Sequence, residues 1–274
     1  MSNKKFILNA DDFGMSKSCN KAVLNGYNYG FLTGASLCAT GKEFEAAVNE
    51  IIPECPNLGI GVHLNIIEGY SLTDKKRFNK NFIQLAAASG NEKFLNYVEK
   101  EFRAQIEKVQ KYVKIDHLDS HVHVHAIPNI FKITATLAKE YDIPFVRTQH
   151  EELYFVPDLA VHINFKYPVN LLKIALLNYF TAKNKPLLKQ MGLKTNNYII
   201  GVGYTGMMNA KTVEYGLNNI EGDGITEAII HPCDNNKANQ NYEEFKITQD
   251  KELEHTIKRL GFDITNYKTL SREL

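Results

Sequence analysis

Four of the nine histidines of the chain lie in one nine-residue segment, 117–125, which reads HLDSHVHVH. Alternate side chains of an extended strand point to the same side, so one face of this segment would collect every odd-numbered residue. That face would carry His117, Asp119, His121, His123 and His125. A row of imidazoles around a carboxylate is costly to pack unless it binds something, and the usual ligand is a divalent metal ion.

Other side chains that can bind a metal or move a proton stand at the carboxyl ends of further predicted strands. These are Asp11, Asp12, His63, Asn65, Arg147 and His231. In parallel α/β proteins the carboxyl ends of the strands form one rim, where ligands bind and catalysis takes place. We therefore expect these residues to meet the histidine segment at a single site.

The residue types suggest a division of labour at that site. One carboxylate with two histidines forms a facial ligand set that leaves positions open for water and substrate. A metal in such a set can lower the pKa of water and polarise a carbonyl group, while separate side chains supply a base and an acid. Of the adjacent carboxylates Asp11 and Asp12, one can bind the metal while the other acts as a base. Asp11 and His231 are suitably distributed for the base and acid roles.

Within the histidine segment, His121 is the position that we favour for the metal. We expect His123 and His125 to line the pocket, and both remain alternative ligands. His117 comes early in the strand, which indicates a structural role, and Asp119 is placed to orient an imidazole through a hydrogen bond.

Two residues have more open roles. Arg147 either binds a carboxylate or phosphate of the substrate or pairs with Asp11 and tunes its pKa. Asn65 is a candidate for binding the substrate or supporting residues that do.

Apolar runs alternate with helical patterns along the chain. Strands are predicted at 5–10, 35–40, 59–65, 115–122, 144–148, 198–202, 226–233 and 264–270. Helices are predicted at 16–29, with Ser16 as the N-cap, and at 44–52, 91–113, 128–141, from about 170, 210–219 and 248–260. This alternation predicts a parallel sheet with helices on its faces. About seven such units indicate a closed or nearly closed (β/α) barrel, with an open doubly wound sheet as the alternative.

Composition narrows the class of protein. A net charge of +1 argues against a general nucleic-acid binder, which would be strongly basic. The four cysteines form no CxxC pair, which predicts free thiols in a reducing compartment. No run approaches the ~20 apolar residues that span a bilayer. The N-terminus reaches its first carboxylates too soon for a secretory signal, so we predict a cytoplasmic protein.

Four short motifs, in this order, resemble those of the YdjC-like carbohydrate deacetylases, which include enzymes that act on chitooligosaccharides such as diacetylchitobiose. They are NADDFGMS at 9–16, GVHLN at 61–65, HLDSHVHVH at 117–125 and IHP at 230–232. The resemblance implies a distorted (β/α) barrel of about seven parallel strands, related to the polysaccharide deacetylases. It also implies hydrolysis of an N-acetyl group from a small amino sugar or oligosaccharide, with release of acetate.

The resemblance also implies roles for five residues. Asp12, His63 and His121 would hold one divalent metal ion, Asp11 would be the general base, and His231 the general acid. Mg²⁺ or Zn²⁺ is expected, and Mn²⁺, Co²⁺ or Ni²⁺ would also suit a mixed carboxylate and imidazole set.

The resemblance covers nearly the whole chain and predicts a single domain, 1–274. Within it, the segment at about 153–195 matches no motif of the family and is expected to be a helical insertion that shapes the substrate cleft. We expect a small sugar as partner, no nucleic acid, no membrane, and a homodimer as one option for assembly. Two alternative functions stay open: phosphoester hydrolysis with Arg147 on the phosphate, and sugar or metal binding without catalysis.

Overall fold

Eight parallel strands form one sheet in the computed structural model, which describes residues 3–157, 166–235 and 239–273. The strands are β1 (Lys4–Phe13), β2 (Gly34–Leu37), β3 (Gly59–Leu64), β4 (His117–Ser120), β5 (Phe145–Val146), β6 (Tyr198–Ile200), β7 (Gly224–Ile230) and β8 (Phe262–Ile264). Seven of them follow the order β5-β4-β3-β2-β1-β7-β6. β1 is central, with β7 on one side, and β2 and β8 sharing the other.

Helices connect these strands over the same described ranges. They are α1 (Lys17–Tyr29), α2 (Phe44–Ala46), α3 (Phe82–Ala88), α4 (Glu92–Gln110), α5 (Pro128–Glu140), α6 (Lys166–Met191), α7 (Ala210–Asn218), α8 (Gln240–Ile247), α9 (Lys251–Arg259) and α10 (Tyr267–Leu270). Ser16 caps α1, as predicted, because its side chain accepts a hydrogen bond from the Cys19 N–H. The predicted alternation of strands and helices is confirmed.

The sheet curls until its two edge strands approach each other. The Val146 N–H donates to the carbonyl of Lys194 at 3.0 Å, and the Lys194 N–H donates to the carbonyl of Pro144 at 2.9 Å. One residue pair beyond, the Asn196 amide accepts from the Thr148 N–H and donates to the Thr148 carbonyl, each at 2.8 Å. The predicted distorted barrel is confirmed, and the open doubly wound alternative is wrong.

The barrel interior is apolar at the amino ends of the strands and polar at the carboxyl ends. Ile7, Phe145, Tyr267 and Leu270 form a buried apolar cluster. Above it, the Tyr267 hydroxyl donates to the Glu227 carboxylate at 2.7 Å, which begins the polar layer. α10 therefore closes one end of the barrel, and the functional groups collect at the other.

Several predicted boundaries are wrong, for local reasons. β4 ends at Ser120 because Val122 and His123 adopt left-handed backbone conformations, so a 3₁₀ turn (His121–Ala126) follows in place of a continued strand. The predicted last strand at 264–270 is a short strand, β8, followed by the helix α10. α3 and α8 were not predicted: α3 has only seven residues and follows a polar loop, and α8 has eight residues in polar sequence.

Two remaining expectations concern the middle of the chain and membranes. α6 occupies 166–191 of the expected helical insertion, while residues 158–165 of that segment lie outside the described residues. Whether 153–195 is an insertion within a single domain stays a prediction. Within the described residues, every helix is too short or too polar to cross a bilayer.

Candidate functional site

A bulge at the end of β1 brings two adjacent carboxylates to the same site. The pairing of β1 with β2 shifts register between Ala10 and Phe13, and Asp12 has a φ of 63°. Neighbouring residues of a regular strand point to opposite faces, so the bulge redirects one of the two side chains. A left-handed conformation costs a residue other than glycine about 1–2 kcal/mol, and such strain tends to persist at functional sites.

Asp12 lies between two imidazoles. Its Oδ1 atom is 2.9 Å from His121 Nδ1 and 3.4 Å from His63 Nε2. One ligand atom from each of the three residues lies within 4.8 Å of those of the other two. The structure therefore brings together the three residues that the resemblance implied as metal ligands, although they are 51 and 58 positions apart along the chain.

The spacing of these donor atoms suits a shared cation. Two donors that each lie about 2.1 Å from one ion are about 3.0 Å apart at a 90° angle and about 3.4 Å apart at a tetrahedral angle. The observed distance of 2.9 Å is close to the first value, and that of 3.4 Å equals the second. Burial lowers the pKa of His63, but the charges of Asp119 and Asp11 outweigh it and raise the pKa to about 10. The same anionic surroundings favour a divalent cation.

Asp119 fixes the orientation of His63 from behind. Its Oδ1 is 2.8 Å from His63 Nδ1, which leaves Nε2 to face Asp12. Ser36 donates to Asp119 Oδ2 at 2.6 Å and lies 3.1 Å from His117 Nε2. The predicted placement of Asp119 behind an imidazole is what the structure shows, and such contacts fix both the tautomer and the direction of a ligating histidine.

His117 is a structural residue of the barrel interior. It is fully buried, and its Nδ1 is 2.5 Å from the Asp116 carboxylate. Its ring lies directly over Gly61 of β3, where an added Cβ would come within 2.3 Å of the imidazole. Any residue other than glycine at position 61 would displace this ring, and with it the Ser36 contact.

Arg147 is enclosed by three buried carboxylates. Its Nη1 atom lies 2.8 Å from Asp11 Oδ2 and 2.6 Å from Asp119 Oδ2. Its Nη2 atom lies 2.8 Å from Asp11 Oδ1 and 2.7 Å from Glu227 Oε1, and Nε is 3.1 Å from the same Glu227 oxygen. The guanidinium is fully buried and pairs with Asp11, so the interpretation that it binds a substrate phosphate is wrong.

This pairing keeps Asp11 ionised. Burial raises the pKa of Asp11, but the charge of Arg147 outweighs that effect, and the pKa lies below its ordinary value. Asp11, His63 and Asp119 form a second group with converging donor atoms. Because the guanidinium already occupies both carboxylates of this group, the set around Asp12 is the better candidate for a cation.

The turn after β4 separates the three histidines that the sequence placed on one face. His121 faces Asp12, whereas His123 lines the neighbouring cavity and its Nδ1 has no hydrogen-bond partner among the described residues. Burial and the charge of Arg147 lower the pKa of His123 to about 3, so its imidazole is neutral.

His125 is packed away from the cavity. It is fully buried, its Nδ1 contacts Ser120 Oγ, and its Nε2 lies 3.0 Å from the carbonyl oxygen of Arg147. Burial lowers its pKa to about 4. The expectation that His125 lines the pocket is therefore wrong: it supports the backbone that carries Arg147.

His231 follows β7 directly and is held by α8. Its backbone N–H donates to Glu244 Oε2 at 2.6 Å, and its Nδ1 lies 3.3 Å from the same oxygen. Burial lowers the pKa of His231, but the hydrogen bond and charge of Glu244, with the charges of Asp12 and Asp11, raise it to about 9. The imidazole is therefore protonated at neutral pH.

Asn65 shapes a loop and leaves no group for a substrate. Its side-chain oxygen accepts from the Ile67 and Glu68 N–H groups, and its amide donates to Thr40 Oγ1 and to the Glu68 carbonyl. The loop that it shapes places Glu68 Oε2 at 3.4 Å from His121 Nε2. Of the two roles predicted for Asn65, these contacts fit the support of neighbouring residues and not the binding of a substrate.

Five of these residues border one cavity of about 570 Å³, which opens to the surface. They are Asp11, His121, His123 and His231, with the half-exposed Val122 between the two histidines of the turn. A group entering from outside would therefore meet the candidate base, a candidate ligand and the candidate acid together.

Three glutamates of this site were missed by sequence reasoning. Glu227 carried a signal, because a glutamate inside the apolar run of β7 is seldom buried without a partner. Glu68 and Glu244 carried none, since both stand in polar sequence typical of a solvated loop or helix face.

The model of the YdjC-like protein family matches residues 5–259. A protein of Clostridium beijerinckii named carbohydrate deacetylase is 35% identical over 164 residues, which cover 55% of this chain and 63% of that protein. A carbohydrate deacetylase of Brevibacillus brevis is 40% identical over 149 residues, covering 51% and 58%. The matched regions thus span less than two thirds of these relatives' lengths.

A solved structure shares the fold over almost the full length. It is a candidate cellobiose-phosphate cleavage protein of Enterococcus faecalis V583, with a TM-score of 0.72 and 21% sequence identity. The similarity covers 98% of this chain and 99% of that one, and at this identity it shows the fold alone.

Proposed function

The chain belongs to the YdjC-like protein family, and on that premise we propose that it is a metal-dependent hydrolase of acetylated amino sugars. It would remove the N-acetyl group from a small amino sugar or oligosaccharide and release acetate. Family membership, two relatives named carbohydrate deacetylase and the geometry of the site support the proposal.

Asp12, His63 and His121 would hold the ion, with Asp119 orienting His63. When bound, a divalent ion supplies Lewis acidity that polarises the amide carbonyl and lowers the pKa of water. Mg²⁺ or Zn²⁺ is the expected ion; the two imidazoles suit Zn²⁺, whereas Mg²⁺ prefers oxygen donors.

Asp11 would act as the general base. The attacking water must lose a proton as its oxygen bonds to the amide carbon, and a carboxylate that stays ionised can accept that proton. Arg147 keeps Asp11 ionised and fixes both its oxygens in place. A carboxylate with a low pKa is a weak base. Asp11 would therefore need an attacking water whose own pKa is lowered.

His231 would act as the general acid. The amine leaves only when its nitrogen receives a proton, and the protonated imidazole beside Glu244 is a suitable donor. The neutral imidazole of His123 would line the part of the cavity that the substrate enters. A cytoplasmic location and a homodimer remain predictions.

The observation that carries this proposal is the convergence of Asp12, His63 and His121 beside a cavity that Asp11 and His231 also line. The test is acetate release from N-acetylglucosamine and diacetylchitobiose, free and phosphorylated, after removal of metal by a chelator and after addition of Mg²⁺ or Zn²⁺. We expect release that stops on chelation and returns with a divalent ion. Full activity in the metal-stripped protein, or no acetate from any of these compounds, would contradict the proposal.

A further inference from the structure

The cavity at the candidate metal centre changes character from its inner end to its mouth. Away from the histidines and Asp11, its walls come from α3 and α6. Four exposed aliphatic side chains, here named the aliphatic wall, dominate them: Ile83, Val169, Leu172 and Leu176. Phe82 and Leu177 add further apolar surface, and Lys173 and Thr205 are the polar lining residues of this part. The candidate site residues Asp11, His121 and His231 line the same cavity.

The wall is exposed to an unusual degree for side chains of this kind. Ile83 is 78% exposed and Leu172 74%, while Val169 and Leu176 are close to half exposed. Isolated exposed leucines are ordinary, but contiguous exposed apolar side chains beside a site mark a binding surface.

α6 has two apolar faces, and only one of them packs against the barrel. Ile174 and Leu188 are buried on the inner face, and Leu177 is buried where that face meets the cavity. Val169, Leu172 and Leu176 follow at helical spacing on the other face, which borders the cavity. A helix that needed only to cover the barrel would carry polar residues there.

An aliphatic wall is a poor partner for a bare sugar. A sugar hydroxyl that loses water against leucine and valine side chains gains no hydrogen bond in return, which is unfavourable. An alkyl chain gains from the same contact, by up to about fourfold in affinity for each fully buried methylene.

We propose that the aliphatic wall binds a hydrocarbon chain of the substrate, so that the preferred substrates are amino-sugar amides that carry an alkyl or acyl chain of several carbons. This inference rests on the proposed amide hydrolysis and narrows its substrate class. The chain is either the acyl group on nitrogen or an alkyl group on the anomeric oxygen, and both sources offer the same chemistry to the wall.

Two substrate series separate these sources. One is glucosamine with N-acetyl, N-butanoyl, N-hexanoyl and N-octanoyl groups, and the other is N-acetylglucosamine as its methyl, butyl, hexyl and octyl glycosides. Release of free amine reports hydrolysis in both. In the series whose chain reaches the wall, we expect kcat/KM to rise by at least about twofold to fourfold for every two methylenes added.

Substitutions on the wall test the same claim in the protein. Leu172→Asn and Leu176→Asn should flatten the dependence of kcat/KM on chain length. Leu153→Asn is the matched control, because Leu153 is 64% exposed but lies outside the cavity lining, and it should leave that dependence unchanged.

The outcomes separate this inference from the proposed function. Amine release from the N-acetyl compounds with no gain along either series would overturn the inference while the deacetylase proposal stands. An unchanged chain-length dependence in both wall variants would also overturn it. No amine release from any compound with any divalent ion would overturn both.

Discussion

The two halves of the cavity are built in opposite ways. Beside its polar end, charged and imidazole groups at and just beyond the carboxyl ends of the strands form a connected network, here named the charged floor: Asp11, Asp12, His63, Asp119, His121 and Arg147. At the mouth, the aliphatic wall consists of exposed side chains on two helices, with few polar groups among the described residues that line it.

This difference assigns the reaction and the choice of substrate to different parts of the cavity. Each member of the charged floor is held by others, so changing one alters the charge or position of its neighbours. The members of the aliphatic wall contribute apolar surface independently of one another. We therefore expect the floor to determine whether the reaction occurs, and the wall to determine which molecules react.

The largest effect is expected from His121→Ala. Removal of this imidazole should lower metal content well below one ion per chain and reduce kcat/KM by about 1,000-fold or more, since several kcal/mol of transition-state stabilisation depend on the ion. Metal analysis of the purified variant together with amine release checks both parts.

His255→Ala is the control, because His255 lies exposed in α9 and should keep metal and activity. Full metal occupancy in His121→Ala would show that the ligand is another histidine, with His123 the nearest candidate.

A smaller effect is expected from Asp11→Asn. The variant should retain the metal but lose about 100-fold or more in kcat, which is typical of removing a general base. Arg147 keeps Asp119 and Glu227 as partners, so the fold should survive, and thermal unfolding can confirm this. Turnover near that of the unmodified protein would exclude Asp11 as the base.

Glu244→Gln should shift the pH profile and retain the metal. His231 must be protonated to act as an acid, so activity should fall as pH rises through its pKa, which Glu244 holds above the ordinary value. Loss of the Glu244 charge lowers that pKa toward its ordinary value, which moves the alkaline limb of kcat to lower pH by about one unit or more.

Glu243→Gln is the matched control for this shift, since Glu243 pairs with Lys246 at the surface of the same helix. An alkaline limb that stays in place in Glu244→Gln would argue that another group donates the proton.

The smallest effect concerns stability. Leu172→Asn on the wall should change the free energy of unfolding by less than about 0.5 kcal/mol, because the side chain is 74% exposed. Urea denaturation followed by circular dichroism measures it. A decrease of several kcal/mol in the free energy of unfolding would show that Leu172 packs into the fold. The wall would then not be the independent, exposed surface that distinguishes it from the floor.

Much of the charged floor could be predicted from the sequence. Strand ends are recognisable from short apolar runs, and parallel strands bring their carboxyl ends to one rim, so His63, Asp119 and His231 could be expected to converge. The choice of His121 over His123 and His125 depends on two left-handed residues in the turn after β4. Val122 is β-branched, and such residues rarely adopt this conformation, so the residue types offer no reason to expect it there.

The wall could not be predicted, for two reasons. α3 is a seven-residue helix after a polar loop, too short for a periodic pattern to emerge. α6 is apolar on two faces, and the sequence does not show which of the two meets the barrel and which is left at the cavity. The position of a helix relative to the barrel depends on packing that residue types alone do not reveal.

Three residues far apart in the chain are proposed to hold a single cation, and anomalous diffraction from a crystal grown with Zn²⁺ tests this directly. We expect one strong peak within about 2.0–2.2 Å of an Asp12 oxygen, His63 Nε2 and a ring nitrogen of His121. A peak coordinated elsewhere, or no ordered zinc within reach of these three side chains, would contradict the account.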